Sequence, residues 1–221
     1  MNPLNVLRDS LYFFSRHFLT IVRLCLPLVV LEAFCKEMLD HAIGPNGSPV
    51  YDIVLGLLFY PIYTAGLILF LDAKSHGTQP KLRNLLAMAM RLWPMFALLT
   101  GISTVAILVG MSMFVLPGLW IMVKVAFAEY FLVLRHQTPL GAIRDSAALT
   151  RGHFWRIMAC LLAVLVPLWL LQGVSTQLYP ESTGVIALTI DSANSFLQLF
   201  TSVVVYRLFM LLSESRTAPV S

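Results

Sequence analysis

The chain has 221 residues, 58% of them hydrophobic and only 12% charged, with a formal net charge of +4. A soluble domain averages roughly 45–50% apolar and about 25% charged residues. A water-soluble fold of this length lacks the polar coat to cover so much apolar surface, so the composition excludes one and assigns the chain to the bilayer.

The first element is PLNVLRDSLYFFSRHF, residues 3–18. Asn2 suits a helix N-cap and Pro3 the first helical position. Leu4, Leu7, Leu11 and Phe14 recur at helical spacing, with Arg8, Asp9 and Ser15 on the remaining arc, which predicts a short helix lying in the membrane surface. An apolar run over 18–39 follows. It is too long for a signal peptide, polar at its far end (Glu32, Lys36, Glu37) and followed by no small-x-small cleavage site, so it is expected to stay as an anchor. Asn2 lacks the glycine that myristoylation needs. Cys25 and Cys35 lie about 15 Å apart along this helix and cannot bridge.

The second span is predicted at 52–72. After it, LRNLLAMAMRLW (82–93) sets Arg83-Asn84 against the Arg8-Asp9 of the first element, with Leu82, Leu85, Leu86 and Trp93 on one side and Arg83 and Arg91 on the other. Spans at 93–113 and 117–135 are separated only by the Phe114–Pro117 corner and should form a tight hairpin. The fourth span contains Lys124 and Glu129, which leaves five spans as the competing count.

Residues 139–154 read PLGAIRDSAALTRGHF and share seven identities in sixteen positions with residues 3–18. Thr138 suits an N-cap, Pro139 the first turn and Gly152 a helix stop. Leu140, Ile143 and Ala147 form the apolar arc; Arg144, Asp145 and Arg151 form the polar one. Spans at 154–174 and 187–211 complete six, and 213–221 reads as a flexible tail.

Three units emerge, each a surface helix followed by two spans: 3–77, 78–138 and 139–212. An even number of spans per unit makes the repeats parallel, related by an axis along the membrane normal. The fold expected is an all-α, six-span bundle with pseudo-threefold order, forming a single membrane domain. Eleven Lys and Arg residues (positions 8, 16, 74, 81, 83, 91, 135, 144, 151, 156 and 216) fall in one set of connections. The opposite connections hold none but carry Asp40 and Glu181, so both termini are expected in the cytoplasm. Topology thus accounts for the positive charge, and nothing points to nucleic acid.

Candidate functional residues fall into two groups. Arg8, Asp9, Arg83, Arg144, Asp145 and Arg151 form a polar ring at the junctions of surface helix and span. There Asp pairs with a neighbouring unit's Arg while Arg reaches lipid phosphates. His17 and His153 read as helix-end polar groups at the same junctions. Within the spans stand Arg23, Glu32, Lys124, Glu129 and Arg207, with Asp191 near the outer end of the last. Arg23 and Arg207 sit close enough to the cytoplasmic ends to snorkel, and Glu32 can reach the outer headgroups. Lys124 and Glu129 are about 140° apart around their helix, so they face different neighbours or a polar cavity. Glu129 is placed to pair with Arg23 or Arg207, or to line a headgroup path with Lys124. Ala106 and Gly110 suit close helix packing. Trp93, Trp120, Trp155, Tyr130 and Tyr179 suit interface belts.

Over residues 115–157, the order is Leu116-Pro117-Gly118, a span with Glu129 near its end, then Ala142, Ser146, Leu149, Thr150, Gly152 and Trp155. This pattern resembles the YciC-type family of uncharacterised bacterial inner-membrane proteins. It is also similar to the membrane domain fused to some bacterial glycerophosphodiester phosphodiesterases. The resemblance is specific over that stretch and elsewhere rests on length and span count. It implies a bacterial inner-membrane protein near phospholipid metabolism and implies no reaction.

No Ser-His-Asp order, phosphate loop, paired catalytic carboxylates or Cys/His metal spacing stands in any connection, so no cofactor or metal is expected. The leading expectation is a non-enzymatic protein of lipid handling or envelope homeostasis that binds anionic phospholipid headgroups at its cytoplasmic face. A scaffold or partner subunit, in a complex with another protein or with copies of itself, is the first alternative and a small-solute transporter the second; an intramembrane enzyme comes last.

Overall fold

The computed structural model describes residues 3–43, 50–78, 80–178 and 185–217, and these are helical with no strand among them. In chain order the helices are α1 (Pro3–Arg16), α2 (Phe18–Ile43), α3 (Val50–Ser75), α4 (Leu82–Met113), α5 (Val115–Val125), α6 (Ala128–Arg135), α7 (Pro139–Leu149), α8 (Phe154–Leu178) and α9 (Val185–Thr217). Six segments are long and apolar enough to cross a bilayer: α2, α3, α4, α5 with α6, α8 and α9. The six-span count therefore stands over the five-span one. Pro27, Pro61, Pro94 and Pro167 lie inside helices that continue through them.

Several boundaries differ from those the sequence predicts, each for a physical reason. Residues 82–93 are not a separate helix, because α4 runs unbroken from Leu82 to Met113. Nothing in that stretch stops a helix, whereas α7 is followed by a turn with Gly152 at φ +83° and α1 ends at the His17 corner. The fourth span is interrupted at Ala126–Phe127. Helix α9 carries on to Thr217, so 213–217 is helix rather than tail. The proposed cap Asn2, with Glu181, Tyr179 and the tail beyond 217, lies outside the described residues.

Packing separates the spans into two shells. Half of each apolar window in α3 and α9 is buried (50%), and 39% of that in α5–α6, against 33%, 11% and 22% in α2, α4 and α8. The inner helices meet through aromatic side chains: Tyr130 stacks on Phe209 at 5.7 Å between ring centres, and Phe131 meets the same ring edge-on at 5.2 Å. Taken in chain order, α2, α3, α4, α5, α8 and α9 each touch the next, and α9 touches α2, so the six spans close into a ring.

Helices α4 and α5 are joined by Phe114 alone, whose extended backbone (φ −163°, ψ 155°) reverses the chain. That turn works because two glycines face each other. A Cβ on Gly110 would lie 3.0 Å from the Gly118 Cα, and one on Gly118 would lie 2.9 Å from the Met111 backbone nitrogen.

Candidate functional site

The short helices α1 and α7 bury faces that hydrophobicity alone does not pick out. In α1 the inward residues are Val6, Ser10 and Phe14, while Leu11 is 60% exposed. In α7 they are Ala142, Ser146 and Leu149, while Leu140 is 71% exposed. The repeated Arg-Asp-Ser triplet therefore divides its labour. Arg8 and Arg144 are exposed, the serines point into the bundle, and the aspartates turn to the preceding inner span. Asp9 pairs with Arg207 of α9 at 3.5 Å, and Asp145 accepts a hydrogen bond from the Gln137 amide just beyond α6 at 2.6 Å. Arg83 and Arg151 are likewise exposed at this arginine-rich end.

Ser146 meets the interruption in the fourth span. Its hydroxyl donates to the Lys124 carbonyl at 2.6 Å and accepts from the Phe127 N–H at 3.1 Å. A break in a spanning helix strands backbone groups that lipid cannot satisfy; here one hydroxyl from α7 serves both. The Lys124 ammonium leans the same way, 3.4 Å from the Ala147 carbonyl and 5.7 Å above the Trp120 ring. Lys124 therefore ties α5 to α7 and is not among the residues of the cavity described next.

Beyond the break, Glu129 points the other way. A cavity of about 800 Å³ lies among the six spans, and all of them contribute to its wall. It starts at exposed Asp52, Gln172 and Asp191, near the arginine-poor helix ends, and reaches Tyr63, Glu129 and Val205 further in. The Tyr60 phenol donates to both Glu129 oxygens, at 3.1 and 3.3 Å. This corrects the expected pairing of Glu129 with an arginine: Arg207 is engaged by Asp9, and Arg23 is exposed and absent from the cavity wall. Glu32, expected at the outer headgroups, is instead only 5% exposed and lines the cavity. It pairs with Lys36 at 2.7 Å through one oxygen, and its Oε2 has no hydrogen-bond partner among the described residues.

Two of the aromatics expected at the interface bond to backbone carbonyls of neighbouring helices, and one of them, Tyr130, lies in the core instead. Tyr130 is buried and donates to the Ser202 carbonyl at 2.7 Å. The Trp93 indole donates to the Leu58 carbonyl at 2.9 Å, tying α4 to α3.

The sequence reading missed most of the cavity wall. Asn194, Ser195, Gln198, Thr201 and Ser202 recur at three- and four-residue spacing along α9 and all face the cavity. That polar stripe on an otherwise apolar span was a readable signal. Asp52 and Tyr60 carry no signal of their own.

A family model described as a domain of unknown function (DUF7847) matches residues 18–216. No solved structure matches the chain.

Proposed function

The chain belongs to the DUF7847 family, and since that membership brings no activity with it, we propose from the geometry that this is a non-enzymatic, lipid-handling protein of the bacterial inner membrane. In this reading both termini face the cytoplasm, and α1, α7 and the start of α4 lie at that surface. Exposed Arg8, Arg83, Arg144 and Arg151 hold anionic phospholipid headgroups there. The cavity opens on the opposite side and takes up the polar part of an amphiphile. The similarity to YciC-type proteins and phosphodiesterase-linked membrane domains belongs to the same proposal, as a pointer to phospholipid metabolism.

Parallel threefold order is part of the proposal too. Its support is cyclic: α1 packs on α9, α7 packs on α6, and Leu86 of α4 approaches Gly66 of α3. In each case the start of one unit rests on the inner span of the unit before it.

The observation that carries the functional reading is the cavity itself. At about 800 Å³, it lies in the range of sites that enclose small organic ligands, roughly 300–1,000 Å³. A purely structural polar ring has no use for such a space.

Gly56 supplies the test. It lines the cavity, and a Cβ placed there meets no atom within 4 Å. Gly56→Phe should therefore fold and fill the space. Native mass spectrometry from gentle detergent should report bound phospholipid on the wild type, with one class of adduct lost in Gly56→Phe and another weakened by Arg8→Gln with Arg144→Gln. A wild type without lipid, or adducts indifferent to all these changes, refutes the reading.

A further inference from the structure

We infer that the break in the fourth span is a two-position switch, through which α7 at the arginine-rich surface sets the inner end of the cavity. The choice of a lipid headgroup as its trigger rests on the reading of that surface proposed above. The break is not local in origin. Helices α2, α3, α4 and α8 each run on through an internal proline. The fourth span breaks at Ala126–Phe127 with neither proline nor glycine between Leu119 and Arg135. An interruption without those residues calls for a group inserted into the helix's own hydrogen-bond ladder. Ser146 of α7 is that group: its buried hydroxyl donates to the Lys124 carbonyl at 2.6 Å and accepts from the Phe127 N–H at 3.1 Å.

The repeat supplies the other position of the switch. Ser10 holds the matching place in the Arg-Asp-Ser triplet of α1 and is just as buried, at 1% exposure. Helix α1 packs on α9, which runs unbroken from Val185 to Thr217. There the Ser10 hydroxyl has no hydrogen-bond partner among the described residues. Where the neighbouring span is continuous the serine is idle, and where the serine bonds the span is broken. Ser146 thus competes with bonds that the fourth span can make for itself. In a continuous helix the Phe127 N–H returns to the Val123 carbonyl, and the Lys124 carbonyl receives the Ala128 N–H.

The consequence reaches the cavity because α6 begins just past the break. Its first turn carries Glu129, which accepts both hydrogen bonds from Tyr60 of α3 at 3.1 and 3.3 Å, and both residues line the cavity. Straightening the span turns α6 against α3 and gives up that contact, which favours the broken position in the wild type. Helix α7 grips both sides of the break, since the Lys124 ammonium of α5 also lies 3.4 Å from the Ala147 carbonyl. Exposed Arg144 and Arg151 stand at one end of this connection and Glu129 at the other. Two sites that bias one element with two arrangements are what physical coupling requires. Headgroups held by the arginines favour the position in which α7 lies against the span, and so favour the broken form.

Fluorine NMR tests the switch. Full-length protein carrying fluorotyrosine is placed in nanodiscs of phosphatidylglycerol or of phosphatidylcholine, and the Tyr60 resonance is assigned by its loss in Tyr60→Phe. Ser146→Ala removes two hydrogen bonds, so the ratio of Tyr60 environments should shift about tenfold or more away from the Glu129-bonded one. Ser10→Ala should leave that ratio unchanged. Lys124→Met removes the second tie outside the buried core, and should shift the ratio the same way by a smaller factor even if Ser146→Ala does not fold. Phosphatidylcholine in place of phosphatidylglycerol, or Arg144→Gln with Arg151→Gln, should act likewise. A Tyr60 signal that follows Ser146 or Lys124 but ignores headgroup charge supports the switch and counts against the headgroup reading of the surface. A Tyr60 signal unchanged in both Ser146→Ala and Lys124→Met, or moved equally by Ser10→Ala, overturns the inference.

Discussion

Replacing Ser146 with alanine tests how the broken fourth span is held. The side chain is fully buried, and one oxygen completes both the Lys124 carbonyl and the Phe127 N–H. Alanine keeps the packing volume but removes both bonds, and lipid offers no replacement for them. A buried backbone group left unsatisfied costs about 1–3 kcal/mol, so two give an upper range of roughly 2–6. Side-chain hydrogen bonds in membrane proteins average nearer 0.6 kcal/mol, because the unfolded chain finds partners too. The expected loss is therefore about 2–3 kcal/mol. Steric trapping in bicelles measures it directly. Ser10 occupies the same place in the first copy of the repeat, is 1% exposed, and has no hydrogen-bond partner for its hydroxyl among the described residues. Ser10→Ala should be neutral or slightly stabilising, because it removes a buried polar group that pairs with nothing. If the two alanines cost the same, or Ser146→Ala costs less than about 0.5 kcal/mol, then the hydroxyl does not bridge the break.

Other outcomes follow from geometry already described. Gly118→Ala drives a methyl to 2.9 Å from the Met111 backbone nitrogen, which cannot move aside as a side chain could. It should cost about 1–3 kcal/mol in the same assay, whereas Gly56→Ala, with open space around it, should be neutral or stabilising. Asp9→Asn should cost under about 1 kcal/mol, since both members of the Asp9–Arg207 pair are 47% exposed. A larger loss would mean the pair is shielded by something the chain does not itself provide. His17 sits at the α1–α2 corner, 6.0 Å from the Phe70 ring. Burial, then the positive charges of Lys74 and Arg16, hold its pKa below the ordinary 6.5. The folded state thus binds fewer protons here than the unfolded one, so stability is full above pH 6.5 and declines as pH falls below it. His17→Phe should flatten that acid limb in denaturation curves taken across pH 5–8; an unchanged slope would show that His17 does not contribute.

The spans were legible because a run of some twenty apolar residues admits few other structures, and the α7 cap and the Gly152 stop were legible because the residues that make them are chemically particular. The interruption at Ala126–Phe127 was not. The sequence VKVAFAEYF holds no proline or glycine, and the break is sustained by a serine nineteen residues away. Glu129 stood out as a carboxylate within a span, but its meeting with Tyr60 depends on the rotation of α3 relative to α6, and a single helix's pattern does not encode that. The Asp9–Arg207 pair falls between these cases. The Arg-Asp-Ser repeat suggested aspartates that pair with a neighbouring arginine, and in the second instance the partner is an amide, Gln137, where a basic residue was expected. The α9 stripe was written plainly in DSANSFLQLFTS and passed over because attention went to charges and not to amides and hydroxyls.

In the closed ring of spans, α9 rests against α2 and α1 against α9, so helix packing singles out no one connection as the place where the chain must be open. A circular permutant opened in the α3–α4 connection near Thr78, with Thr217 linked to Pro3 by a short flexible joint, keeps every helix contact described above. It should insert and fold as the parent does, with its seam moved to the α3–α4 connection.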